Sequence, residues 1–260
     1  MKAAELFDVS GHVAVVTGAA SGLGLAYAEV MSANGAKVIM LDIDADALAE
    51  SAARVENAEP FVVDVSDTDR LKSVIDQKAV KHGRLDTVFA NAGISAGPGY
   101  LTKTGAIENV SMELWNRVLQ VNLTSVFNTL QAGAVHMKRQ RRGRMIVTAS
   151  IAGLRSELLS GYGYVATKAA VINLVRHAAL ELAPYNVLVN AIAPGPFLTN
   201  IAGGRLHREP ETVRQFESMV PLGRLARTDE IKGLALFLAS GASSYVTGTV
   251  IPIDGGSTAD

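Results

Sequence analysis

The chain contains no cysteine. That excludes a disulfide framework, thiol catalysis and Cys-ligated metal, and it fits a reducing cytoplasm. It has almost no excess charge: 24 Lys and Arg stand against 25 Asp and Glu, a net of −1. No global field then draws in nucleic acid or a membrane surface, and neither is expected as a partner. Aromatic residues make up only 5% of the chain, so aliphatic side chains must fill most of any core. No apolar run approaches the ~18 residues of a membrane-spanning helix. The opening residues, Met1-Lys2-Ala3-Ala4-Glu5-Leu6-Phe7-Asp8, carry two acids and lack the apolar stretch of a secretory signal.

What is present is a hydrophobic fraction of 48% over 260 residues, with a mean hydropathy of +0.23. That is enough for one large core, and 1–260 is expected to be one domain. Short β-branched runs alternate with longer stretches of helical period. Strands are expected at residues 13–17, 37–42, 61–65, 86–90, 145–150, 187–192 and 249–253. Helices are expected at 22–34, 45–55, 68–82, 111–139, 161–183 and near 229–239, with Gly35 and Gly83 just past two helix ends and Ser111 as an N-cap. Residues 194–221 read as irregular. Apolar strands alternating with helices imply an α/β fold: a Rossmann-like, doubly wound parallel sheet of about seven strands with helices on both faces. Its expected order is 3-2-1-4-5-6 extended by one strand, with ligands beyond the carboxyl ends of the strands.

The residues that carry chemistry fall at those ends. Thr17-Gly18-Ala19-Ala20-Ser21-Gly22-Leu23-Gly24 follows the first strand and opens a helix. Glycines there let the backbone approach a pyrophosphate, and the helix N-terminus offers free N–H groups and a positive dipole end. Asp42 ends the second strand, where an acid accepts hydrogen bonds from an adenosine ribose. It would repel a 2′-phosphate by about 4 kcal/mol at ~4 Å and an effective dielectric of 20. No Lys or Arg lies in the glycine turn or directly after Asp42 to offset this, so NAD is expected rather than NADP. Asp44 is the better candidate to cap the next helix. Asp64 and Val65 are placed to meet adenine, and Asn91-Ala92-Gly93 offers small residues beside a ligand. Tyr164 and Lys168 lie one helical turn apart, on one face. A phenol of pKa ~10 is a poor acid–base at neutral pH, and an adjacent ammonium lowers it. A shift of roughly three units takes about 4 kcal/mol. Tyr162 has Ala166 in the matching position, so Tyr164 is the expected acid–base. Ser150, after an apolar run, stands nearer the ligand end than the other hydroxyl, Thr148.

Thr17-Gly18-x-x-x-Gly22-x-Gly24, Asn91-Ala92-Gly93, Asn122, Ser150, Tyr164-x-x-x-Lys168 and Pro194-Gly195 occur in the order of the short-chain dehydrogenase/reductase family. The chain resembles that family over nearly its whole length. The resemblance implies that Tyr164 is the general acid/base, that Lys168 holds the nicotinamide ribose and lowers the tyrosine, and that Ser150 bonds the reacting oxygen. It also implies that Asn122 positions a water in a proton relay, that Thr199 contacts the carboxamide, that Asp254-Gly255-Gly256 is the closing turn, and that the chain is a homotetramer. The expected activity is NAD-dependent exchange of hydride between nicotinamide and a secondary alcohol or ketone, in the cytoplasm and without a metal. A dinucleotide-binding regulator of the same fold that does no chemistry is the alternative.

Substrate choice is expected in three loops, 94–110, 151–163 and 196–221, the last as a lid. Leu154, Leu158, Leu159 and Phe197 are candidates for an apolar wall or for core. Arg155, Arg205 and Arg208 are candidates to meet an acidic substrate or solvent. The basic run Lys138, Arg139, Arg141, Arg142 and Arg144 reads as a helix C-terminus, where cations complement the dipole. The five histidines show no ligand spacing and read as surface or helix-end residues.

Overall fold

The computed structural model describes residues 2–201 and 204–259. Among them, β1 (Val13–Thr17), β2 (Lys37–Asp42), β3 (Ala58–Val62), β4 (Thr87–Ala90), β5 (Gly143–Thr148), β6 (Val187–Pro194) and β7 (Val250–Ile253) form one parallel sheet. Its order is β3-β2-β1-β4-β5-β6-β7, as expected from the alternation of elements. The helices are α1 (Ala3–Leu6), α2 (Gly22–Ala33), α3 (Ala45–Ala52), α4 (Thr68–His82), α5 (Met112–Leu119), α6 (Ser125–Gln140), α7 (Tyr162–Leu182), α8 (Arg205–Arg208), α9 (Pro210–Glu217) and α10 (Lys232–Ala239).

The strand period of two sorts the core into two halves. Val13 and Val15 join Ile39, Leu41 and Val88 under α4, α6 and α7. Ala14 and Val16 join Val38, Met40 and Phe89 under α2, α3 and α10. The helix ends follow local chemistry. Asp44, Asp67 and Ser111 accept from the backbone N–H groups of Ala47, Arg70 and Leu114. Gly35 and Gly83 take the left-handed conformation at the far ends of α2 and α4, with φ of +84° and +70°.

Five expectations need correction. β3 spans Ala58–Val62 and not 61–65: the apolar run from Phe61 continues past the strand, and the register sets Pro60 opposite Met40. A proline without an N–H is tolerated because β3 is an edge strand. β5 runs from Gly143 to Thr148, which leaves Ser150 beyond it. The helix expected over 111–139 is two helices joined by a π turn, Gln120–Thr124. Residues 194–221 hold α8 and α9, with residues 202 and 203 outside the described set. His12 is buried, with only 8% exposure, and not a surface residue. Its Nε2 meets Arg142 at 3.0 Å and burial holds its pKa below the ordinary histidine value.

The basic run is tied into the fold by most of its members. Lys138 pairs with Glu181, Arg141 donates to the Pro184 carbonyl, and Arg144 reaches the Ser240 carbonyl.

Candidate active site

A cleft of about 670 Å³ opens across the carboxyl ends of the strands. At one end lies the glycine turn between β1 and α2. Gly18 and Gly22 have φ of +66° and +56°, which favours glycine. A Cβ on Gly24 would lie 1.9 Å from the Gly18 carbonyl oxygen, so that turn closes only over glycine. Asp42, at the end of β2, accepts from the Ala20 N–H at 2.9 Å and from the Asp44 N–H at 3.1 Å. It therefore fixes the turn it stands beside, a role the sequence pattern did not reveal. Gly18, Ser21, Gly22, Leu23, Asp42, Asp64 and Val65 all line this end of the cleft. Gly24 lies behind it, packed under Gly18. Asp64 is engaged by the N–H and hydroxyl of Ser66 at 2.8 and 2.7 Å, which shapes the turn after β3.

Asn91, Ala92 and Gly93, after β4, line the middle. Asn91 acts as a brace. Its amide donates to the carbonyls of Thr17 and Gly18 at 3.0 and 3.2 Å, and its oxygen accepts from the Thr148 hydroxyl at 3.0 Å. The Thr17 hydroxyl takes the N–H groups of Asn91 and Ala92. Tyr27, fully buried and stacked on Phe89, sets its hydroxyl 3.3 Å from that of Thr148. Tyr27 is the member that sequence reading missed, while Thr17, which opens the glycine motif, and Thr148, the rival hydroxyl to Ser150, have bracing roles that the sequence does not show. A tyrosine hydroxyl on the largely apolar face of α2 is the one sequence signal for Tyr27.

Pro194 ends β6, and it lines the same cleft with Gly195 just beyond it and Thr199. A Cβ on Gly195 would lie 2.7 Å from the Asp254 Cα, so the Asp254-Gly255-Gly256 turn backs this wall. A Cβ on Gly22 would lie 3.5 Å from the Thr199 methyl, which brings residue 199 over the glycine turn.

The other end holds Ser150, Tyr164 and Lys168. Ser150 precedes a short 3-10 turn and accepts from the Ala152 N–H at 3.1 Å. Tyr164 and Lys168 share one face of α7, with Nζ 5.5 Å from the phenol ring centre. The Lys168 ammonium is buried and donates to the Thr148 carbonyl at 2.7 Å. Burial alone depresses it to about 8. The Tyr164 phenol was expected below its ordinary value, and here the direction is reversed. Although part of the ring faces the cleft, burial raises it; Ser150 opposes that shift, and the charge of Glu157 adds to it. A charge pair in the sequence says nothing of how much desolvation each member suffers.

Asn122 does not line the cleft. The π turn sets it against the next loop, where its oxygen accepts from the Ile94 N–H at 2.8 Å and its amide donates to the Ile94 carbonyl at 2.9 Å. A Cβ on Gly93 would lie 3.5 Å from Asn122 Oδ1 and 3.8 Å from Lys168 Nζ, so Gly93 separates the two polar groups. Of the suggested wall, Leu159 and Phe197 line the cleft, while Leu154 and Leu158 are exposed. Arg155 is paired with Glu157 at 3.2 Å.

The glycine cradle, the acid at the end of β2 and the continuous cleft fit an extended dinucleotide. A model of the family described as enoyl-(acyl carrier protein) reductase matches residues 18–258. The 3-oxoacyl-[acyl-carrier-protein] reductase of Thermotoga maritima is 37% identical over 253 residues, covering 95% of this chain and 98% of that protein. Among solved structures, a short-chain type dehydrogenase/reductase from Mycobacterium marinum superposes with a TM-score of 0.90 at 35% identity, covering 98% of this chain and 99% of that one. A candidate NAD(P)-dependent gluconate 5-dehydrogenase of Beutenbergia cavernae, with NADP bound at low occupancy, gives 0.86 at 33% identity and covers 98% and 99%. The chain belongs to the short-chain dehydrogenase/reductase family and is an oxidoreductase of the kind that uses a nicotinamide dinucleotide.

Proposed function

We propose that this protein exchanges hydride between NAD(H) and a secondary alcohol or its ketone, with Tyr164 as general acid/base. The observation that carries this reading is the convergence of Ser150, Tyr164 and Lys168 at one end of a cleft whose other end is the glycine turn and Asp42. When bound, the nicotinamide ring supplies the hydride acceptor for oxidation or the donor for reduction. In oxidation Tyr164, as phenolate, takes the hydroxyl proton while the C–H hydride leaves and the carbonyl forms. In reduction the phenol returns that proton to the developing alkoxide. Ser150 and Tyr164 donate to that oxygen and stabilise its charge. Lys168, held by Thr148, would hold the nicotinamide ribose, and its ammonium favours the phenolate when charged. Asn122 orders the Ile94 loop, and a water held beside that loop would re-supply protons.

The coenzyme role extends to Gly18, Ser21, Gly22, Leu23, Gly24, Asp42, Asp64, Val65, Asn91, Ala92, Gly93, Pro194, Gly195 and Thr199. Asp42 favours NAD by repelling a 2′-phosphate, although one solved relative holds NADP. Residues 196–221 serve as the lid: Ile201, Leu206 and Phe216 face the cleft, and the segment is anchored at Pro196 to Ala226 and at Leu222 to Gly255. Apolar side chains left exposed on α5, α6 and α7, such as Met112, Phe127 and Leu180, support assembly as a homotetramer.

The test is Tyr164→Phe. The variant is expected to bind NADH as the native protein does, and to lose turnover of any alcohol the native protein oxidises by several orders of magnitude. Undiminished turnover sinks the mechanism.

A further inference from the structure

The cleft that holds Tyr164 is lined by Ile94, Val121, Ile151, Leu159 and Phe197, with Arg117 and Gln120 as polar members. Glu157 stands among them. Its side chain is only 10% exposed. One carboxylate oxygen accepts from Arg155 Nε at 3.2 Å; the other takes no hydrogen bond among the described residues. Its second oxygen is left to solvent or to a bound donor, and a ligand that displaces water there must replace the hydrogen bonds it removes. Its charge also reaches the reacting phenol, since it acts to raise Tyr164.

The loop that carries Glu157 is built to hold it. The Ser160 N–H donates to the Glu157 carbonyl at 3.3 Å, and Ser160 bridges to Pro98. A Cβ on Gly99 would lie 1.8 Å from the Leu158 carbonyl oxygen, and one on Gly161 would lie 2.3 Å from that of Ala96. The two loops close on each other only through those glycines, so the carboxylate is placed before substrate arrives.

We infer that Glu157 selects substrates that carry a second hydroxyl besides the reacting one, namely diols and hydroxyketones. This rests on the alcohol–ketone reading above. The open oxygen is an acceptor that a hydroxyl donor fills. A carboxylate or other anion on the substrate would meet it charge against charge. An ammonium would set a second cation beside the Arg155 guanidinium, which already stands 3.2 Å from the carboxylate. A plain alcohol would leave the oxygen desolvated and unpaired, and sites built around a hydroxyl reject analogues that lack it.

The test compares two matched pairs, cyclohexane-1,2-diol with cyclohexanol and butane-2,3-diol with butan-2-ol, as ratios of kcat/KM. The native protein is expected to favour the diol by about tenfold or more, the worth of a hydrogen bond to a charged acceptor. Glu157→Gln and Glu157→Leu should each cut that ratio by about tenfold, mainly through the KM of the diol. Arg155→Gln, which keeps the carboxylate, should retain most of it, so a loss confined to the Glu157 variants separates recognition from loop damage. Equal use of diol and monoalcohol by the native protein, or a ratio untouched in both Glu157 variants, overturns the role of Glu157 and leaves the hydride-transfer reading standing. Silence of the native protein on all four alcohols also overturns the inference, and the Tyr164→Phe comparison on another alcohol then decides whether the broader reading falls with it.

Discussion

Thr148 and Lys168 are joined by a hydrogen bond of 2.7 Å from the lysine ammonium to the threonine carbonyl, between the end of β5 and the face of α7. The hydroxyl of the same threonine donates to Asn91, the residue that braces the glycine turn. One strand residue thus ties the Tyr164 end of the cleft to the glycine-turn end.

Lys168 gives the protein a pH-dependent stability. Its folded value is about 8, below the ordinary 10.5. Between those values the unfolded chain holds a proton that the folded chain has released. Stability therefore rises with pH across that window, by up to about 1.4 kcal/mol per pH unit. Lys168→Met should remove the rise. Urea midpoints of both proteins at pH 8 and pH 9.5 check it; equal slopes would rule it out.

In the proposed mechanism Tyr164 sets the pH profile of turnover. Oxidation needs the phenolate, so kcat/KM for an alcohol should climb with pH while that for the ketone falls. Ser150 acts to lower the phenol and Glu157 to raise it. The midpoint of the oxidation profile should accordingly move up in Ser150→Ala and down in Glu157→Gln. Movement of both in the same direction would show that these two neighbours do not act on Tyr164 as described.

Asn122 makes both its hydrogen bonds to the Ile94 backbone and is fully buried. Asn122→Ala leaves a donor and an acceptor without partners, a loss of about 2 kcal/mol or more. For a chain of this size that lowers the melting midpoint by roughly 5 °C. Calorimetry measures it, and turnover should fall in the same variant because the Ile94 loop borders Tyr164. A midpoint within 1 °C of native, a bound set by roughly 2–4 °C per kcal/mol, would mean that water replaces the amide.

Asp42 supports the glycine turn through Ala20, so its alanine variant should weaken both coenzymes. Asp42→Asn keeps an acceptor for the backbone and removes the charge that repels a 2′-phosphate. NADH near one hundred times its dissociation constant should stabilise the native protein by about 2.7 kcal/mol, and NADPH by much less. In Asp42→Asn the two thermal shifts should converge. A native protein stabilised more by NADPH would overturn the coenzyme preference.

The order of the sheet and most of the cleft were legible because they rest on patterns local to a segment. The glycine turn after β1, Asp42 at the end of β2 and the Tyr164–Lys168 turn each announce themselves within a few residues. What stayed hidden depends on contacts between distant segments. The π turn at Asn122 leaves no trace in the helical period of 111–139. The register of β3 follows from β2 and from its edge position, which tolerates Pro60. The direction of the Tyr164 shift depends on desolvation. Glu157 stood in a loop already marked for substrate choice, yet nothing nearby distinguished it from a solvated acid.

The turn at Asp254–Gly256 has a consequence for how the protein is made. It packs on Gly195 and bonds to Leu222, so it backs both the coenzyme wall and the base of the 196–221 segment. These residues leave the ribosome after every other part of the cleft. A nascent chain can assemble β1 to β4 early, but it has no finished site until its last strand has docked beside β6. Ribosome-bound intermediates would then be folded in their first half and still unable to grip coenzyme.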